Sequence, residues 1–396
     1  MSRRRRRVTR KNASAMIISL IIVFVLGIIY LVTGRDPSGI FKTADTALPE
    51  VATLVNPPSN LTPQPPGSGG WWEVYFTDPL NAKDPTQWQS SIEGRLIEKI
   101  NAAKTSIHIA SFEFDLTPVA EALIAAKQRG VDVRWVTDNE HGLEADVEPG
   151  HGQFAMLQQR GIEVRSDTRS ALMHNKFWIF DGKTAWTGST NITVSGVFQQ
   201  NNNTVVIHSP EVAAIYEREF TEMWDGQYGP NSPSTADQQS VVVNGTPIQV
   251  YFSPEDEVMT RIIPYVRGAQ SSIRFLAFSF TDQPLAQAMI DRASTGVDVA
   301  GVFEKVGSET ESAQLGTLYC AKLPVRQDGN PRFLHDKVIV VDNRYVITGS
   351  FNFSENATES NDENVIIIDN PQIASLYMQE FERIWNIATE PDPARL

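Results

Sequence analysis

The sequence predicts an α/β protein: two tandem repeated α-β-α lobes with mixed, largely parallel sheets, packed about a pseudo-two-fold axis and preceded by one transmembrane helix. Three observations carry that expectation. The chain repeats itself from Trp71 onward. Within each copy, short apolar runs alternate with amphipathic segments. A long uncharged apolar run stands ahead of both copies.

The N-terminal segment (1–14) is basic, with seven positive charges at Arg3 to Arg7, Arg10 and Lys11. The whole chain has a formal charge of −13, so the remainder carries about −20. A body this acidic repels polyanions over most of its surface, which weighs against a duplex-binding protein and leaves room only for a local basic groove. A single cysteine, Cys320, excludes an intramolecular disulfide and a Cys-rich metal site, and it reads as a small buried apolar residue.

Residues 15–33 include AMIISLIIVFVLGIIYLV, an apolar run of the length that spans a hydrocarbon core as one helix. Its basic flank lies before it, so the N-terminus is expected on the cytoplasmic side and the rest beyond the membrane. No small-x-small site follows the run, which favours a retained anchor over a cleaved signal peptide. Residues 34–70 hold seven prolines and end in Gly67-Ser68-Gly69-Gly70, the composition of a semi-extended stalk.

The first lobe is expected at 71–228, a linker at 229–246, the second lobe at 247–387 and a tail at 388–396. Val74-Tyr75-Phe76 returns as Val250-Tyr251-Phe252, and Gly130-Val131-Asp132-Val133 as Gly296-Val297-Asp298-Val299. Each copy reads as a strand (107–114; 273–280), then a helix with proline in its first turn (118–128; 284–293). A strand after glycine follows (131–136; 297–303), and later a short buried strand (177–180; 338–341). Each closes with a helix whose aromatic stripe, Tyr216/Phe220/Trp224 or Tyr377/Phe381/Trp385, repeats every four residues and reads as core packing.

The chemistry sits between these elements. The first copy holds His174-Asn175-Lys176, Asp181 and Gly188-Ser189-Thr190-Asn191; the second holds His335-Asp336-Lys337, Asp342 and Gly349-Ser350-Phe351-Asn352. Both read H-x-K-x4-D followed by G-S-x-N. This pair of motifs resembles the signature of the phospholipase D superfamily, over nearly everything from residue 71 to 387. The resemblance implies a phospholipase D-like fold and a two-step, metal-free reaction through a covalent phosphohistidine, with no cofactor.

The residue types suit that chemistry. On an extended chain, positions i and i+2 face one side, so each histidine points with its lysine. Lys176, Lys337, Asn191 and Asn352 are expected to grip the non-bridging oxygens of a phosphodiester, and the two histidines to serve as nucleophile and general acid. The family's second-half pattern carries a glutamate that bonds the histidine. That position is Glu363, in Asn361-Asp362-Glu363-Asn364, and aligning Asn201-Asn202-Asn203 with it sets Asn203 opposite Glu363. A carboxylate favours an imidazolium, so His335 is expected as the protonated acid and His174 as the neutral nucleophile.

Other residues have plainer readings. Asp181 and Asp342 are expected to pin the turn after their strands. Ser189 and Ser350 either touch phosphate or orient the loop. Glu113 ends a strand where the second copy has Ser279, and it is not counted in the site. His108, His141, His151 and His208 lack partners in the other copy and read as strand, surface or loop histidines; no cluster has metal-ligand spacing.

The leading expectation is a membrane-anchored phosphodiesterase acting on phospholipid head groups on the extracytoplasmic side. The lobes pair within one chain, so no dimer is required. The rivals are a non-specific endonuclease of the same superfamily, for which nucleic acid would be the partner, and a catalytically silent interaction protein.

Overall fold

The computed structural model describes residues 67–396. The expected basic N-terminus, transmembrane anchor and most of the stalk lie outside them. Among the described residues, no helix is long and apolar enough to cross a membrane.

Two eight-stranded sheets follow one plan. The first is built from β1 (Gly67–Ser68), β2 (Trp72–Phe76), β3 (Ser106–Ser111), β4 (Asp132–Thr137), β5 (Glu163–Ser166), β6 (Lys176–Phe180), β7 (Thr184–Gly188) and β8 (Asn203–His208), in the order β1-β2-β8-β7-β6-β3-β4-β5. The second comprises β9 (Ser240–Val243), β10 (Thr246–Ser253), β11 (Ser272–Ala277), β12 (Asp298–Phe303), β13 (Val325–Gln327), β14 (Lys337–Val341), β15 (Tyr345–Gly349) and β16 (Glu363–Asp369), in the order β13-β12-β11-β14-β15-β16-β10-β9. The end of the expected stalk, Gly67–Ser68, already pairs with β2, and β9 lies within the expected linker.

The sheets are mixed, but the expectation of largely parallel pairing is wrong. Each sheet has two parallel pairings, β3–β4 and β4–β5 in the first and β11–β12 and β12–β13 in the second. The other five in each are antiparallel. Helical crossovers serve only the parallel pairs. The chain leaves β6 through the tight turn at Asp181 and Gly182, and β14 through Asp342 and Asn343, so both motif strands return as hairpins.

Helices cover both faces of each sheet. In the first lobe α1 (Ile92–Ala102), α2 (Thr117–Gln128) and α3 (Gln153–Gln159) lie outside, α4 (Val194–Phe198) follows the first G-S-x-N loop, and α5 (Pro210–Trp224) lies inside. The second lobe repeats them as α6 (Val258–Gly268), α7 (Gln283–Ser294), α8 (Leu315–Cys320), α9 (Glu355–Glu359) and α10 (Pro371–Ile387). Local chemistry starts the inner pair. Ser209 accepts from Val212 N ahead of Pro210, and Asn370 accepts from Gln372 N and Ile373 N ahead of Pro371. Cys320 is exposed at the end of α8, not buried, because the free face of that short helix carries it.

One core joins the lobes. Phe177, Val205, Tyr216 and Phe220 of the first copy share a buried cluster with Phe252, Val338, Ile366, Tyr377 and Phe381 of the second. The sheets therefore meet through their inner faces, and the motif ends of β6 and β14 are fixed relative to one another by packing.

Candidate active site

Each half-site is built on the start of a central strand. Lys176 opens β6 and Lys337 opens β14, with each histidine two residues before. Phe112 is met edge-on by the His174 ring at 4.9 Å, while the Lys176 ammonium lies 4.9 Å from the same ring centre. Phe278 repeats this with His335 at 4.7 Å and Lys337 at 4.5 Å. Lys176 Nζ donates to the His174 carbonyl at 2.8 Å and Lys337 Nζ to that of His335 at 2.7 Å. Histidine and lysine therefore share one face in both lobes.

The two half-sites share one electrostatic environment. Burial pushes the proton affinity of both imidazoles well below the ordinary range, and the charges of Lys176 and Lys337, one from each lobe, push the same way. Each histidine is only 6 % exposed. Burial also lowers Lys176 to about 8, against the pull of Glu363 and Glu113, and lowers Lys337 strongly. Two desolvated ammoniums without a carboxylate in direct contact form a ready site for an anion.

The lobes exchange the segments that hold their histidines. His174 N donates to Asp362 O at 2.9 Å and Asp362 N to Leu172 O at 2.9 Å. Symmetrically, His335 N donates to Asn201 O and Asn201 N to Phe333 O, each at 2.9 Å. This exchange corrects the expected partner of Glu363. Its Oε2 lies 2.7 Å from Nδ1 of His174, in the other lobe, and not against His335. The cause is topological: the start of β16 crosses the interface before it enters its own sheet.

The exchange also corrects the alignment by one residue. The counterpart of Glu363 is Asn202, whose Oδ1 is 2.9 Å from His335 Nδ1 and whose Nδ2 donates to Gly196 O at 2.9 Å. Ser189 O lies 3.1 Å from the same ring nitrogen. His335 thus has only neutral acceptors at Nδ1, so nothing beside it holds it protonated. Asn203 matches Asn364 instead. Asn203 Nδ2 donates to Asp336 at 2.6 Å and its Oδ1 accepts from Thr348 and Tyr377 at 2.9 Å; Asn364 Nδ2 donates to Asn175 at 2.8 Å and its Oδ1 accepts from Thr187 at 2.7 Å.

The remaining site residues divide. Asn191 and Asn352 lie at the two G-S-x-N loops, each with a buried Oδ1 lacking a protein partner. Ser189 Oγ donates to Asn202 at 2.8 Å, and Ser350 Oγ accepts from Asn364 N at 2.9 Å, so both hydroxyls tie loop to strand. Asp181 accepts from Lys104, Thr105 and Ser106 N, and Asp342 from Gln270, Ser271 and Ser272 N; both stand at the turn, away from the imidazoles.

Three residues outside the expected set also border the site. Glu113 Oε2 accepts from Asn191 Nδ2 at 3.0 Å, which places a carboxylate beside the expected phosphate grip. Its only sequence signal is its position just past β3, where the second copy has Ser279. His141, exposed on a single helical turn at Asn139–Glu144, lies 5.0 Å from Phe112, and its charge reaches His174. Arg169, unremarked in the sequence, bonds Asp362 and so fixes the strand carrying Glu363.

Two sheets joined by a shared core and a doubled His-Lys-Asn site define the class. A family model described as "Cardiolipin synthase, PLD-like domain" matches residues 96–224 and 262–385, one match per lobe. The chain belongs to this family, within the phospholipase D superfamily. It is 36% identical over 139 residues to the mitochondrial cardiolipin hydrolase of Xenopus tropicalis, covering 35% of this chain and 65% of that protein. To the phospholipase D of Rickettsia bellii (strain RML369-C) it is 33% identical over 134 residues, 34% of this chain and 67% of that protein. It thus spans less than two thirds of the hydrolase's length. The crystal structure of phosphatidylserine synthase from Haemophilus influenzae Rd KW20 shares the fold, with a TM-score of 0.54 at 17% identity over 73% of this chain and 82% of that one.

Proposed function

We propose that this chain is a phospholipase D-type phosphodiesterase, anchored by residues 15–33 with its catalytic body on the extracytoplasmic side, and that it hydrolyses phospholipid head groups. The observation that carries the reaction is the unequal pairing of two otherwise matched histidines: His174 on Glu363, His335 on Asn202. The relatives named cardiolipin hydrolase and phospholipase D support the substrate class.

In the first step, the Nε2 lone pair of His174 attacks phosphorus, and the Glu363 carboxylate accepts a hydrogen bond from Nδ1–H as the ring gains positive charge. The bond from phosphorus to the leaving alcohol breaks, and its oxygen takes a proton from His335. His335 takes up that proton from solvent as the substrate binds, because an anion beside it restores the affinity that burial removes. Lys176, Lys337, Asn191 and Asn352 hold the non-bridging oxygens, a grip that strengthens as charge builds. In the second step, water gives its proton to His335 and attacks phosphorus, the P–N bond breaks, and its electron pair returns to Nε2 of His174.

The test is hydrolysis of bis-p-nitrophenyl phosphate, phospholipid vesicles and single-stranded DNA by the detergent-solubilised chain in EDTA. Release of free head group and phosphatidic acid, lost in His174→Ala, is expected. Cleavage of DNA alone, falling steeply with salt, would replace this reading with a nuclease.

A further inference from the structure

The pseudo-symmetry fails at one charged position against the phosphate grip. Asn191 and Asn352 are equivalent, yet only Asn191 has a carboxylate on its amide: Glu113 Oε2 accepts from Nδ2 at 3.0 Å. The second lobe has Ser279 at the matching position just past β11, and Asn352 has no such partner. The Glu113 bond uses one of the two Nδ2 hydrogens and leaves the other for a ligand. Glu113 and a bound phosphate would therefore share one NH2 group, an arrangement that brings two anions within two hydrogen bonds of each other.

We propose that Glu113 is a specificity-determining residue that discriminates monoanionic phosphodiesters from dianionic phosphomonoesters, so that the substrate is held and the product expelled. This rests on the phosphodiesterase reading and deepens it. Hydrolysis of a diester turns one negative charge into two near neutral pH. Lys176 and Lys337 supply two positive charges, and Glu113 cancels part of that field on the first-lobe side. A second charge on the ligand meets the carboxylate at short range in a desolvated setting, where Coulomb repulsion is strong. The only relief is protonation of Glu113, which costs free energy in its turn. Burial raises the affinity of Glu113 for that proton and the Lys176 charge opposes it, so the carboxylate can answer a dianion by taking up a proton.

A second role follows from the same bond. By accepting from Nδ2, Glu113 fixes which edge of the Asn191 amide faces the ligand. Glutamine at this position keeps an acceptor and loses the charge; serine, the residue of the second lobe, loses both.

The experiment measures binding of dimethyl phosphate, monomethyl phosphate and inorganic sulfate to the full chain in detergent by titration calorimetry at pH 7.5. Wild type, Glu113→Gln and Glu113→Ser are compared. Wild type is expected to favour dimethyl phosphate over both dianions. In both variants the ratio of dianion to monoanion affinity should rise fivefold or more, and in Glu113→Gln product inhibition by the phosphomonoester should tighten equally. Glu113→Ser should also lower kcat on the diester further than Glu113→Gln does, because it frees the Asn191 amide. A smaller change of the ratio in whichever variant folds overturns the proposal. Failure of wild type to bind dimethyl phosphate at all defeats the phosphodiesterase reading instead, so the two failures are distinct.

Discussion

His174 and His335 occupy equivalent positions in sequence, strand and aromatic packing, so the difference in their chemistry comes from one atom pair at Nδ1. Replacing Glu363 by glutamine preserves the shape of its contact with His174 and removes the charge that meets the developing imidazolium. We expect kcat to fall roughly 10²-fold or more, with KM little changed; steady-state kinetics on bis-p-nitrophenyl phosphate checks this. The pH profile follows from the same groups. Burial raises the Glu363 carboxyl to about 8, so its ionised form, the one that accepts Nδ1–H, grows as pH rises. Lys176 is lowered to about 8, so the ammonium that holds phosphate is lost above that pH. At saturating substrate, where His335 carries its proton, kcat should therefore rise towards pH 8 and fall beyond it, and Glu363→Gln should abolish the rising limb. At this scale the sequence was informative about which residue types gather and silent about pairing. The His-Lys-Asn set could be read from two matched motifs. That Glu363 serves His174, and that Asn202 rather than Asn203 answers it, depends on a crossing between lobes that a repeat within each lobe cannot encode.

At the scale of elements, the G-S-x-N loops are shaped by close backbone approach. Gly188 and Gly349 have φ of +150° and +147°, and a Cβ on either would stand 2.2 Å from the carbonyl oxygen of Asn203 or Asn364. Those asparagines cross-link the lobes, so the loop and the bracing strand must move together. Gly349→Ala should destabilise the fold by about 1–3 kcal/mol, the scale of local backbone strain, and displace Asn352. Denaturant unfolding measures the first effect and loss of anion binding the second. Helices and strands were legible because first-turn prolines, glycine stops and apolar periods agree, as at Pro118 with Gly130 and Pro284 with Gly296. The parallel character of the sheets was overstated. Asp181 and Asp342, read as turn residues, mark hairpins, and a hairpin makes β6 and β7 antiparallel where an alternating strand-helix pattern suggests crossovers.

In the whole molecule, two copies make one site. The shared inner core and the reciprocal exchange at His174 and His335 tie the lobes into a single folding unit, so calorimetry should show one unfolding transition for residues 67–396 rather than two. Arg169→Ala, which removes the ion pair between the Asp362 side chain and the first lobe, should lower kcat by loosening Glu363 from His174, and Arg169→Lys should restore part of it. The repeat made the two-lobed plan readable, but the depth of the interdigitation was not, since contacts across an internal axis leave no period in the sequence. The most direct measurement is rapid quench of the enzyme with a slow phosphodiester, followed by mass spectrometry of the histidine peptides. The expected result is a phosphoryl adduct on His174 that is absent from His174→Ala; an adduct on His335, persisting in His174→Ala, would overturn the assignment of the nucleophile.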